Sequence, residues 1–215
     1  MTRICDVLLA SSAMLLLLPF LAPLCIILRL TGEGEVLFRQ SRVGKGRVNF
    51  DIYKFATMLK DSPNIGTGTV TVKDDPRVLP LGRFLRKTKV NELPQLLNVL
   101  KGDMSIVGPR PQTQRCFDDF PPELQDQIIS VSPGLTGLGS IFFRDEENML
   151  LTQDAEAVYA QDIMPYKAKL EAWYVTNKTL WLYWKIILVT AYVLVAPKTS
   201  SLAALFPDAP KFSNQ

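Results

Sequence analysis

The chain has no histidine among its 215 residues. Ser-His-Asp and Cys-His catalysis and every histidine-ligated metal centre are thereby excluded. Acid, base or nucleophile work must fall to Asp, Glu, Lys, Tyr or Ser. Cysteine is nearly as scarce: Cys5, Cys25 and Cys116 are scattered, with no Cys-x-x-Cys pair. Neither a disulfide framework nor a thiolate zinc site is expected, and a reducing intracellular setting fits. The length allows one compact catalytic domain with membrane-associated segments, but not two large domains.

Apolar residues are plentiful, at 47%, and unevenly placed. They crowd into a block from Val7 to Leu30 and another from Thr179 to Ala196, around a polar stretch dense in motifs. The net charge of +3 conceals an asymmetry: residues 1–111 carry 16 Lys and Arg against 9 Asp and Glu, the remainder 8 against 12. A basic front half beside an apolar block suits anionic headgroups and phosphorylated substrates, although a solvated basic surface has the same composition.

Val7 to Leu30 holds no charge before Arg29 and is long enough to cross a bilayer. No small-x-small cleavage site stands out, so a cleaved signal peptide is not the expected reading. Pro19 and Pro23, four residues apart, each delete a backbone hydrogen bond near one turn. The block is then either a kinked span or a hairpin that enters one leaflet and returns. Arg3 precedes it and Arg29, Arg39 and Arg42 follow, and basic residues at both ends favour the hairpin.

Beyond Glu35, Val36–Gln40 and Val48–Tyr53 resemble short strands joined through Gly44 and Gly46. Residues 61–72 form a loop, Asp74-Asp75-Pro76-Arg77 a turn, and Leu81–Arg86 a short helix. Leu93, Leu96, Leu97 and Leu100 fall on one helical face, with Asn91 as N-cap and Glu92 and Pro94 in the first turn. Such a helix end favours an anion such as a diphosphate, and Arg83, Arg86, Lys87 and Lys89 lie just upstream. Read alone, Asn91 and Glu92 do no more than cap the helix and complement its dipole. Arg110, held between Pro109 and Pro111, has little freedom to lose and suits a phosphate contact, or is a surface arginine on a proline turn. Pro133–Gly139 has three glycines in seven residues and permits close backbone approach to a ligand, but matches no dinucleotide or Walker fingerprint. Arg144-Asp145-Glu146-Glu147 offers a phosphate ligand and metal-binding carboxylates, or is a plain charged helix start.

Together these segments resemble a known family. The order is an apolar block with a central proline, F-R-Q-S-R-V-G at 38–44, Y-K-F-x-T-M at 53–58, D-P-R at 75–77, G-R-F-L-R-K-T at 82–88, N-E-L-P-Q-L through G-P-R-P at 91–111, and P-G-L-T-G at 133–137. This order is similar to that of bacterial sugar transferases, the monotopic phosphoglycosyl transferases or undecaprenyl-phosphate sugar phosphotransferases. The likeness runs from about Thr2 to Lys185. It implies a small, mainly helical α/β catalytic domain at the cytoplasmic face of the bacterial inner membrane. That domain would be anchored by a re-entrant helix-hairpin broken at Leu18-Pro19 and by interfacial amphipathic helices. It implies a UDP-sugar donor, polyprenyl phosphate as acceptor, Mg²⁺, inner-membrane lipids and no nucleic acid, with a homodimer left open. A carboxylate attacks the β-phosphate, UMP leaves, and the phosphosugar passes to the lipid phosphate. Catalysis is assigned to Glu92 and Asn91, substrate binding to Lys54, Arg77, Arg86, Pro109, Arg110, Pro111 and Arg144, and metal binding to Glu92 and Asp145.

The departures are equally specific. The family pairs Asp with Glu where this chain has Asn91-Glu92, and a neutral amide cannot form the acyl-phosphate. Three readings follow: Glu92 takes over as nucleophile; another carboxylate, Asp145 or Glu146, completes the site; or the chain is a silent membrane scaffold or nucleotide-sugar-binding homologue. Ala56 stands where the family's K-F-R-T-M motif has arginine. Trp173, Tyr174, Trp181, Tyr183 and Trp184 precede the apolar run Ile186–Ala196, as at a membrane interface. The expected division is an anchor over 1–32, a catalytic domain over 33–172, an interfacial helix over 173–197 and a flexible tail over 198–215.

Overall fold

A computed structural model describes residues 2–65, 75–144, 159–196 and 202–211. It begins with one helix, α1 (Thr2–Leu30), whose only charges are Arg3, Asp6 and Arg29. Pro19 and Pro23 lie inside this helix and do not end it. The break read from the sequence at Pro19 is therefore not an interruption of secondary structure. Each proline removes one backbone bond, and the leucine-rich turns on either side keep the rest. Leu15, Leu16 and Phe20 are 72–74% exposed, which separates α1 from the buried core helix of a soluble protein. Among the described residues it is the one helix long and apolar enough to cross a membrane.

Both ends of α1 are fastened to the rest of the protein. Arg3 donates to the carbonyls of Val99 and Leu100, the latter at 2.9 Å. Asp6 is buried and accepts from Ser105 Oγ, the Ile106 N–H and the Tyr183 hydroxyl at 2.8–3.0 Å. At the other end Leu21 and Leu28 pack with Phe55 and Leu85.

The two strands read after Glu35 pair as an antiparallel hairpin, β1 (Leu37–Val43) with β2 (Asn49–Phe55), in register from Leu37↔Phe55 to Val43↔Asn49. Gly46 and Arg47, at φ 65° and 62°, take the two left-handed steps of the connection, the first of them at no steric cost. The short helix follows as α2 (Pro80–Lys87). The next helix differs from its sequence reading. Asn91 does not cap it: Val90–Glu92 is a separate 3-10 turn entered through Lys89 in the left-handed region, and α3 (Gln95–Lys101) starts after Pro94. The inward face also turns from the leucine stripe, burying Gln95 and Asn98 with Leu96 and Val99 and leaving Leu97 exposed. The cause is a polar stitch: Asn98 Oδ1 accepts from the Tyr53 N–H at 3.0 Å and its Nδ2 donates to the Asp51 carbonyl at 2.8 Å, tying α3 to β2.

A second, parallel pair, β3 (Ser105–Val107) and β4 (Gly134–Thr136), aligns Ser105 with Gly134 and Val107 with Thr136. Gly108 and Gly134 cross here. A Cβ on Gly134 would lie 2.1 Å from the Gly108 nitrogen, so this pairing of the two glycine loops excludes side chains. Between these strands run α4 (Gln114–Asp118) and α5 (Pro122–Ile129), and after β4 comes α6 (Leu138–Phe142). α7 (Met164–Asn177) packs on both α5 and α6. It holds Trp173 and Tyr174, with Tyr174 buried, so the boundary expected at residue 173 falls inside this helix, and the C-terminal apolar run forms a separate helix, α8 (Leu180–Val195). α8 buries Leu182, Tyr183, Ile186, Val189 and Val193 while exposing Trp181, Leu188, Leu194 and Val195. It is apolar on both faces rather than amphipathic. The tail is not free throughout: α9 (Leu202–Leu205) is followed by buried Phe206 and Ala209. The Phe206 ring lies 6.3 Å from that of Phe142, and Tyr166 donates to the Pro210 carbonyl at 2.8 Å. Leu202, Leu205 and Phe206 give this stretch an apolar face to bury, which the expectation of a flexible tail overlooked.

Candidate active site

The end of β2, the 3-10 turn at Val90–Glu92 and the loop after β3 converge on an open cavity of about 1590 Å³. Arg42, Lys54, Arg86, Asn91, Glu92 and Arg110 are among its lining residues. Glu92 sits between two cations: Lys54 Nζ lies 3.2 Å and an Arg110 guanidinium nitrogen 3.4 Å from the same carboxylate oxygen. Arg110 also reaches Ser140 Oγ on α6 at 3.4 Å.

The electrostatics follow from that crowding. Burial pushes the Glu92 carboxyl up, but Lys54, Arg110 and Lys89 outweigh it and hold the group well below the usual carboxylate range. Glu92 is therefore ionised at neutral pH. Lys54 is pushed down to about 8 by burial, with Arg110 and Arg42 adding to the shift and Glu92 opposing it. Arg42 is pushed down to about 10, by burial first and then by Arg110. One carboxylate thus faces three cations in a poorly solvated pocket. Such a site draws in a polyanion such as a phosphate ester and presents an ionised oxygen to it.

Lys54, Arg86, Asn91, Glu92 and Arg110, expected at the site, are brought together around this cavity. Arg144 also lines it, with its guanidinium bonded to the Val193 carbonyl at the end of α8. Pro109 and Pro111 are buried and frame Arg110 instead of facing the cavity. The Pro109 carbonyl accepts from the Gly134 N–H at 2.8 Å, and that of Pro111 from Arg42 at 3.2 Å. Arg77 departs from its expected role as a substrate ligand. It is 3% exposed, forks onto both oxygens of Asp75, and donates to the carbonyls of Ser62 and Ile65. A guanidinium so engaged braces a loop. Asp145 and Glu146 lie outside the described residues.

Sequence reasoning missed three residues. Arg42 sits in the 38–44 motif but reads there only as flanking charge. The alternation along β1, which turns Phe38, Gln40 and Arg42 to the less exposed side, is the signal that finds it. Lys167 and Glu171, buried on α7 among Met164, Ala168, Leu170 and Ala172, are charges one turn apart on an apolar helix face.

Among the described residues no group of three or more Asp, Glu, Cys or His side chains could cage a metal. The donors at hand are the Glu92 carboxylate and Asn91 Oδ1, a buried oxygen with no hydrogen-bond partner. Mg²⁺ ordinarily binds through one or two protein oxygens, water and substrate phosphate, so this pair fits a magnesium that arrives largely on a diphosphate.

Comparison with known proteins gives the site its context. The model of the bacterial sugar transferase family matches residues 1–197. The exopolysaccharide production protein PSS of Rhizobium leguminosarum bv. phaseoli is 40% identical over 145 residues, covering 65% of this chain and 72% of that protein. The UDP-N-acetylgalactosamine-undecaprenyl-phosphate N-acetylgalactosaminephosphotransferase of Aeromonas hydrophila is 35% identical over 181 residues, 82% of this chain. The UDP-glucose:undecaprenyl-phosphate glucose-1-phosphate transferase of Escherichia coli (strain K12) is 32% identical over 190 residues, 87% of this chain. The chain spans only 39% and 38% of the length of these last two proteins. With the match reaching from α1 through the Glu92 cavity to the end of α8, the chain belongs to the bacterial sugar transferase family.

Proposed function

We propose that this protein is a phosphoglycosyl transferase. It moves a sugar 1-phosphate from a UDP-sugar to polyprenyl phosphate, releasing UMP, in the first membrane step of lipid-linked glycan assembly. The observation that carries this reading is the ionised Glu92 carboxylate held between Lys54 and Arg110 at the cavity, in a chain whose neighbouring residue is Asn91. Lys54, Arg42 and Arg110 take the diphosphate. A Glu92 oxygen attacks the β-phosphorus, forming an acyl-phosphate bond as the bond to the bridging oxygen breaks, and UMP leaves with that oxygen. An oxygen of the lipid phosphate then attacks the same phosphorus, and Glu92 leaves as a carboxylate. Magnesium, held by Glu92, Asn91 Oδ1 and the diphosphate, would neutralise charge on the phosphates. Arg86 and Arg144 line the remainder of the cavity.

The anchor is read as monotopic, with the catalytic domain on the cytoplasmic face of the inner membrane. Arg3 and Asp6 near the start of α1 and Leu28 near its end all bind the same domain. That supports entry and exit on one side through a helix bent at its prolines. The exposed apolar face of α8 would lie in the same interface.

In the full chain, embedded in lipid nanodiscs, UMP release from a UDP-sugar is expected to require both polyprenyl phosphate and Mg²⁺. Without the lipid it should stop at one equivalent per enzyme or less. No UMP from any donor in a broad UDP-sugar panel overturns the catalytic reading.

Asn91 motivates the second reading, a silent homologue that binds nucleotide sugar. Asn91→Asp separates the two. In an active chain the new carboxylate sits beside an already ionised Glu92 and neutralises part of the pocket's positive charge, so turnover stays level or falls. Turnover appearing only in the variant identifies a silent native chain.

A further inference from the structure

Glu171 is 1% exposed on α7, and the proposed chemistry does not use it. Its Oε1 accepts the Arg110 N–H at 3.1 Å, and its carboxyl also accepts the Gly139 N–H at the start of α6. Both residues lead directly to the cavity. The Arg110 side chain runs to Glu92 at 3.4 Å, and the next residue after Gly139 is Ser140, whose hydroxyl takes the other end of the same guanidinium. Gly139 has to be glycine for this arrangement, because a Cβ there would lie 2.3 Å from Glu171 Oε1. One carboxyl thus ties together the two loops between which Arg110 is stretched, and its second oxygen is buried with no hydrogen-bond partner.

We propose that Glu171 is a positioning residue: by gripping the Arg110 and Gly139 backbones it fixes where the Arg110 guanidinium meets Glu92 and the substrate phosphates. This rests on the phosphate-binding reading of the cavity. Burial pushes the Glu171 carboxyl up to about 7, against the Arg110 and Gly139 N–H groups and the charges of Lys167 and Arg110. The charged and titratable groups facing it are Lys167 and Tyr174 on its own helix and Arg110 from the loop opposite. The glycines of the β4–α6 segment bring none. Above neutral pH the grip is a charge-assisted hydrogen bond, roughly twice as strong as the neutral one that remains when the carboxyl is protonated.

The test is Glu171→Gln in the nanodisc-embedded full chain, alone and with Arg110→Lys. Its readouts are UMP release from about pH 6 to 8.5 and UDP affinity by titration. Wild-type kcat should rise as pH passes neutrality, while Glu171→Gln stays on the low plateau, roughly threefold to tenfold down at the alkaline end with little change in KM. UDP affinity should weaken severalfold there, and neither loss should recur in the Arg110→Lys background. Glu171→Leu, which leaves two N–H groups unpaired, should lose activity at every pH; if it fails to fold, the glutamine variant still decides. A glutamine profile that tracks wild type, or the same loss with and without Arg110→Lys alongside a lowered melting temperature, marks a purely structural carboxyl and overturns the proposal. A wild-type chain that binds UDP but releases no UMP defeats the catalytic reading alone, and the UDP titrations then decide for or against Glu171. Failure to bind UDP at all defeats both.

Discussion

Glu92→Gln should remove UMP release almost completely, by roughly 10³-fold or more, while the protein still binds UDP. The amide keeps the shape of the side chain but has no anionic oxygen to attack phosphorus. Binding survives because Arg42 and Arg110, which gather the diphosphate together with Lys54, keep their charge. It does not improve greatly, for a reason that lies in Lys54. That amine is already down at about 8, and Glu92 is what opposes the effects of burial, Arg110 and Arg42. Without the carboxylate its pKa falls further, Lys54 loses much of its proton near neutral pH, and the pocket sheds part of its excess positive charge. The same deprotonation limits the cost of leaving an unpaired buried cation. Single-turnover measurement should show no phosphosugar attached to the variant. Glu92→Asp, which keeps the charge but retracts it by a methylene, should retain a small residual rate. Wild-type turnover in Glu92→Gln would move the nucleophile to another carboxylate, Asp145 or Glu146 being the candidates from the sequence.

How far the site could be read from the chain differs residue by residue. The hairpin of β1 and β2 was legible because strand periodicity and the glycines agree locally. Lys54, Glu92 and Arg110 were legible because each sits in a short, dense motif, although their meeting at one oxygen is tertiary. The true setting of Asn91 was not legible. The left-handed Lys89, which costs on the order of 1 kcal/mol for a non-glycine residue, starts a 3-10 turn where sequence rules place a helix cap. What outweighs the leucine stripe of α3 is Asn98, whose two hydrogen bonds to β2 have no signature at helical spacing. Glu171 lies 61 residues from Arg110, so only the packed fold reveals that they touch. The packed tail escaped notice because the five-residue apolar run of residues 202–206 is too short to announce a core segment.

Arg77→Ala should destabilise the protein heavily and leave the intrinsic chemistry of the folded fraction nearly unchanged, the reverse of what a substrate ligand would do. Arg77 and Asp75 side chains are 4% and 2% exposed, and the guanidinium is held by both carboxylate oxygens and two carbonyls. Removing the cation takes both guanidinium contacts from a buried carboxylate, with the backbone N–H of residue 77 still bonded to it, and leaves the Ser62 and Ile65 carbonyls without that donor. Breaking a pair this buried costs about 3–5 kcal/mol, a large share of the roughly 5–15 kcal/mol that holds a domain folded. The apparent melting temperature in detergent should drop by roughly 10 °C. Asp75→Ala with Arg77→Ala should recover part of that loss, because the buried carboxylate goes with its guanidinium, but not all, since the two carbonyls still lack their donor. The loop so braced leads from Met58 and Leu59, both at the cavity, and the Leu59 N–H is bonded to the Arg77 carbonyl at 2.9 Å. A modest rise in KM for the donor is therefore compatible with the clamp. An Arg77→Ala protein that melts with wild type and loses donor affinity by an order of magnitude would instead return Arg77 to the substrate, as the D-P-R motif first suggested.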